Sequence, residues 1–201
     1  PRVDDEVYLR RITLDIVGHS PSAEEITAFA LDPSPDKRAV AVERLLAQKE
    51  FGDNWARYWR DVILYRRSED RALLVSGALV KFLAKSLNED PHWDKIARQF
   101  ITATGDIRDE GATAIIMAQM GNAEDTTAEI SRIFLGIQIQ CAQCHNHPTD
   151  RWKREQFHGL AAYFPRMSLR PKSSEDAKRT LELVSFDQSQ EKRGKFFASM
   201  R

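Results

Sequence analysis

Apolar residues recur every three or four positions through most of this chain, and polar breaks separate one such segment from the next. That spacing puts side chains on one face of an α-helix. In residues 5–17 the pattern is carried by Val7, Leu9, Ile12, Leu14, Ile16 and Val17, and Gly18 marks a stop. Gly18-His19-Ser20-Pro21 reads as a turn. Ser22 and Glu25 have the spacing of a capping box, which opens a short helix through Leu31. Asp32-Pro33-Ser34-Pro35 breaks it, and Pro35 suits the first position of the next helix, which carries Val40, Val42, Leu45 and Leu46. Residues 54–61 predict a further helix, with Trp55, Trp59, Val62 and Ile63 on its packing face.

The charged run 66–71 reads as a solvated link. An apolar-faced helix follows over 72–87, and another starts at Pro91-His92-Trp93 and runs through Ile101. Gly105 and Gly111 bracket a polar loop; residues 112–120 are apolar and include Met117 and Met120. Asp125 or Thr126 is the expected cap of a helix supported in its first turn by Glu129. Its buried face is Ile130, Ile133, Phe134, Ile137 and Ile139, and it is expected to run straight into Gln140-Cys141. Residues 152–164 predict a last amphipathic helix with Phe157, Leu160, Ala161 and Phe164 inward and His158 beside them. Past Pro165 the chain turns polar, with partial alternation over 181–186 that predicts a short strand. The reading is an all-α fold: a multi-helix bundle of about eight helices in residues 1–165, then 166–201 as a short irregular tail or linker towards a following domain.

Charge narrows the function classes. Lys+Arg and Asp+Glu both number 30, so the formal net charge is zero, which removes the electrostatic argument for nucleic acid or an anionic membrane surface. No apolar run approaches a bilayer span. No signal peptide opens the sequence; the charged start reads as the lead into a helix, and the chain is expected to be one domain of something longer. No Ser/His/Asp pattern, phosphate-binding glycine loop or paired-carboxylate motif stands out, so hydrolase and kinase readings are poor.

The chemistry is concentrated in Cys141-Ala142-Gln143-Cys144-His145-Asn146-His147-Pro148, which holds both cysteines and two of the five histidines. Cys-x-x-Cys-His is the attachment signature of c-type haem. Two thiols on one turn can each form a thioether to a porphyrin vinyl group, and the following histidine can bind iron from the proximal side. Zinc sites and redox dithiols also use Cys-x-x-Cys, so a zinc-stabilised module built on Cys141, Cys144 and His145 or His147, completed by His158, is the alternative. For the second axial position the candidates are Met167, His158, His147 and His19; an open position would turn the chemistry towards ligand binding or peroxidase-like activity. Arg151, Arg154, Arg166 and Arg170 flank the motif and could pair with propionates.

Four blocks carry a family resemblance. They are Arg10-Arg11-Ile12-Thr13-Leu14-Asp15 followed by Pro21; Trp55-Ala56-Arg57-Tyr58-Trp59-Arg60-Asp61; the run from Ser131 through Pro148; and Phe157-His158-Gly159-Leu160-Ala161-Ala162-Tyr163-Phe164. Together, over about residues 5–165, they resemble a planctomycete-type cytochrome c domain family of otherwise unknown function. The resemblance implies a haem-bearing module of large exported, periplasmic proteins, with Cys141 and Cys144 as attachment sites and His145 as proximal ligand. The leading function class is then electron transfer with a redox partner protein or neighbouring domain, a redox carrier more than a stand-alone enzyme. One departure matters: more than a hundred residues precede the motif, so the fold of small cytochromes c is not implied.

Overall fold

Gly18 adopts the left-handed backbone (φ 83°) that only glycine enters without cost, and its N–H closes onto the Leu14 carbonyl; this ends α1 (Asp5–Val17) where the sequence places the stop. The computed structural model describes residues 3–164, 166–171 and 181–186. The expected capping box opens α2 (Ala23–Leu31): Glu25 N–H donates to the Ser22 hydroxyl at 3.2 Å and Ser22 N–H to the Glu25 carboxylate at 2.9 Å. Pro35 lies in the turn before α3 (Lys37–Leu46), and Asp36 holds the capping position instead. α4 (Lys49–Leu64) starts earlier than the aromatic pattern indicates, because Gly52 does not break it. Asn88 presses on Gly52, accepting its N–H at 3.1 Å and donating to the Lys49 carbonyl at 3.0 Å. A Cβ at Gly52 would lie 2.4 Å from Asn88.

A 3-10 turn (Asp70–Val75) leads into α5 (Ser76–Glu89), which packs along α4 as the central pair. α6 (Trp93–Thr102) begins after His92, an exposed residue at the capping position whose ring pairs with the Asp90 carboxylate. The apolar run after Gly111 makes α7 (Ala114–Ala118), every residue of it buried. α8 (Ala123–Ile130) is capped by Asn122, which takes the Asp125 N–H at 2.9 Å; Asp125 and Thr126 are already inside the helix. α9 (Arg154–Ala161) closes the helical series, nine α-helices among the described residues.

The main core gathers Leu79, Leu83, Ile96, Phe100, Ile115 and Met117, all fully buried. Trp59 is spent on Trp93, with ring centroids 4.4 Å apart, and Trp93 on Phe134 at 5.6 Å; these are packing roles. Tyr58 stays largely exposed. The strand expected near 181–186 is present as β3 (Leu181–Ser185). It runs antiparallel between β1 (Gly105–Asp106) and β2 (Met167–Pro171), with Gly105 and Leu169 both opposite Leu183, which is fully buried. The fold is thus mostly helical with one small sheet, and two of its strands come from stretches whose pattern reads as loop and irregular tail. A two-residue strand has no periodicity to detect, and β2 forms by pairing with β3 more than by its own sequence.

Asp5 ties α1 to α3: Lys37 Nζ lies 2.7 Å and Arg38 Nη2 2.8 Å from its carboxylate. Hydrogen bonds from Lys37 first, then Arg38, hold its carboxyl below the usual carboxylate range. A carboxyl lowered in the folded state contributes stability above its unfolded pKa of about 4, and loses it as pH falls through the folded value. The melting-temperature difference between the native protein and Asp5→Asn is therefore expected to be largest near neutral pH and to shrink below about pH 4. Thermal melts across that range check it.

Candidate haem-attachment site

The helix carrying the motif is shorter than the apolar pattern predicts. α8 gives way to one π-helical turn (Ser131–Leu135), and Gly136, at φ 67°, ends it. Residues 137–139 belong to no regular element, and the motif then forms its own 3-10 turn (Gln140–Gln143). The motif therefore follows a core helix without being its continuation. A wider turn and a left-handed glycine redirect the chain, which periodicity alone does not register.

Ala142, between the two cysteines, anchors this turn. It is fully buried, and with Ile139, Phe157 and Ala161 it forms a small second core to which Ile137, Trp152 and Leu160 add partial cover. Its N–H donates to the Ile139 carbonyl at 2.8 Å. Burying the residue between them leaves Cys141 and Cys144 both exposed and both free thiols. α9 lies against the turn and supplies Phe157 and Ala161. Three hydrogen bonds tie the motif to α9 and the loop before it. His147 N–H donates to the Trp152 carbonyl at 2.8 Å, Arg154 N–H to Asn146 Oδ1 at 3.0 Å, and His158 Nε2–H to the Gln143 carbonyl at 3.0 Å.

The hydrogen bonds engage the imidazoles in different ways. His145 Nδ1 lies 2.7 Å from the Asn146 carbonyl, which can only accept, so Nδ1–H donates and Nε2 is the ring nitrogen left for a metal. A ligating histidine fixed by a backbone carbonyl at its other nitrogen is the usual support for metal binding. His147 is the reverse: its Nδ1 accepts the Thr149 N–H at 3.3 Å, which places the proton on Nε2. His158 spends Nε2 on Gln143. His19 sits in the turn after α1, which packs on α2, α3 and α4, whereas the motif packs on α8 and α9. Met167 is half-buried in β2 against the main core, and Met117 is fully inside it.

Two accessible thiols on one turn, followed by an imidazole bonded at Nδ1 and not at Nε2, suit covalent haem attachment. The tetrahedral zinc set proposed from Cys141, Cys144, His145 or His147, and His158 is not assembled: no three Cys, His, Asp or Glu side chains gather as a metal set among the described residues. Beside the motif lies an open depression of about 430 Å³ lined by Asn146, Lys153, Arg154, Glu155 and His158. Of the flanking arginines, Arg151 stacks on Trp152 and Arg170 on Phe186. The supporting residues Ala142, Gln143, Asn146 and Lys153 escape sequence reasoning. Only Asn146 carries a usable signal, a capping-type side chain shortly before a predicted helix.

Fold and site together define a helical domain presenting a Cys-x-x-Cys-His turn at its surface. The chain belongs to the PSCyt2 family, described as a protein of unknown function (DUF1549), whose pattern matches residues 1–168. No curated protein matches it, and no solved structure does. Among the described residues no helix is long and apolar enough to cross a membrane.

Proposed function

We propose that this domain carries one c-type haem, attached at Cys141 and Cys144 with His145 as proximal ligand, and serves as an electron-carrying module of a larger exported protein. The observation that carries this reading is the His145 ring, held at Nδ1 by the Asn146 carbonyl directly after two accessible thiols. Bound haem would supply one-electron reduction and oxidation at iron. The chain's own part is to hold the attachment residues on a turn that cannot drift, because Ala142 and Ile139 are locked under it. Lys153 and Arg154, at the edge of the adjoining depression, offer cations for propionates. Its partner is a redox protein or a neighbouring domain. The exported location follows from the chemistry, since c-type attachment takes place after export.

Produced in an export-competent host with c-type maturation, the protein is expected to gain the mass of one haem that survives denaturation and to show a reduced-minus-oxidised visible spectrum. Colourless protein from that host, with both thiols open to alkylation, overturns the proposal; stoichiometric zinc in such material would favour the structural alternative.

A second feature favours an open sixth position. His147 accepts at Nδ1 and so carries its proton on Nε2, His158 Nε2 is bonded to Gln143, Met167 is packed on the main core, and His19 belongs to the α1–α4 side of the fold. The reduced protein is therefore expected to bind carbon monoxide, read as a shift of its visible bands. An unchanged spectrum under carbon monoxide would mean that a side chain fills the position.

A further inference from the structure

We infer that His158 is a positioning residue for the motif, acting through the Gln143 carbonyl, and is not an iron ligand. The inference rests on the haem reading above. Two hydrogen bonds from α9 reach the motif, and they fall on either side of Cys144-His145. On one side His158 Nε2–H donates to the Gln143 carbonyl at 3.0 Å. That oxygen belongs to the peptide joining Gln143 to Cys144, so fixing it fixes the plane from which the Cys144 side chain departs. On the other side Arg154 N–H donates to Asn146 Oδ1 at 3.0 Å and holds the residue after His145. The His145 ring is itself bonded to the Asn146 carbonyl, so its orientation is referred back to α9 as well.

The turn needs such support. It has four residues, too few to be stable alone, and the carbonyls at its end have no helical partner. His158 satisfies the Gln143 carbonyl from a rigid base. Its ring is half-buried, lies edge-on to Phe157 with centroids 5.5 Å apart, and sits within α9 beside the fully buried Phe157. Binding iron through Nε2 would break this bond and release the peptide that carries Cys144. The structure thus separates two roles that the sequence leaves merged among histidines close to one another: His145 as ligand, His158 as brace.

Two variants and two readouts test it. In the haem-free full chain, His158→Leu is expected to speed amide hydrogen exchange in residues 142–145 about fivefold, the loss of one ordinary hydrogen bond. His158→Gln, whose amide can still donate, restores most of the protection. In material matured with haem, His158→Leu is expected to lower the haem-attached fraction severalfold by intact mass while the attached fraction keeps the native spectrum, and His158→Gln recovers the yield. Unchanged exchange in the folded His158→Leu protein, checked by circular dichroism, overturns the brace whether or not haem is present. A spectrum altered alike in both variants at undiminished attachment also overturns it and makes His158 a ligand. If the native protein takes up no haem, the haem reading fails and the exchange measurement alone decides the brace.

Discussion

Arg132→Ala is expected to cost about 3–5 kcal/mol of folding stability, the range for removing one partner of a buried ion pair. Glu129 is 6% exposed on α8, a place a carboxylate tolerates only when it is paired. Arg132 provides the pairing: Nε and Nη2 donate to Glu129 Oε2 at 3.0 and 2.6 Å, while Arg66 stands at 3.6 Å from Oε1. Arg132 Nη2 also donates to the Val62 carbonyl at 3.1 Å and so ties the π-helical turn after α8 to the end of α4. The junction continues through Gln119 Nε2, which donates to the Arg66 carbonyl at 3.0 Å, and through Ser68, whose N–H donates to the Ala118 carbonyl at 2.8 Å. Without Arg132 the carboxylate stays buried, with only the more distant and half-exposed Arg66 opposite it. For a chain of this size the loss corresponds to a fall in melting temperature of roughly 6–20 °C. Urea unfolding of Arg132→Ala, Glu129→Ala and the double variant measures it. Glu129→Ala alone is expected to cost less, because Arg132 keeps part of its surface in water. The double variant should cost less than the sum of the two. Additive losses would show that the pair is not coupled.

The Glu129 network also marks where sequence reading stops. The sequence places Glu129 in the first turn of a helix, where an acid suits the helix dipole, and nothing nearby in the chain reveals that its carboxylate faces inward to an arginine from the α4–α5 link. Local signals did serve wherever the cause was local. Gly18 stops α1 because of its own backbone, and Ser22 with Glu25 caps α2 within one turn. The alternation over 181–186 announced β3, but its two partners became strands only through pairing. At the site the motif itself was legible because its chemistry lies in residue types at fixed spacing. Its support was not, since that comes from Ala142 filling a pocket made by Phe157 and Ala161, and from a histidine in α9 fifteen residues beyond Gln143. The helix expected to carry the motif failed for a related reason. Ile137 and Ile139 continue the apolar spacing because they reach the second core from an irregular segment, not because the helix persists past Gly136.

Replacing both Cys141 and Cys144 with serine is expected to abolish haem that survives denaturation, the largest functional effect of any substitution in the chain. The exposure of both thiols makes the experiment clean. Neither cysteine contributes to a buried cluster, so the double variant should keep its melting temperature within a few degrees of the haem-free native protein. Loss of haem can then be assigned to lost attachment and not to misfolding. Phe157→Ala would not allow that assignment, because emptying the second core costs about 3–5 kcal/mol and undoes the mount. A single cysteine variant retains one thiol for a thioether, so bound haem should persist at reduced yield. His145→Ala separates attachment from ligation. It leaves both thiols in place, so the mass increase should remain detectable while the proximal ligand is gone, and added imidazole should restore the native visible bands. If His145→Ala leaves those bands unchanged without imidazole, His145 is not the ligand. The Asn146 carbonyl would then be orienting a ring with another task.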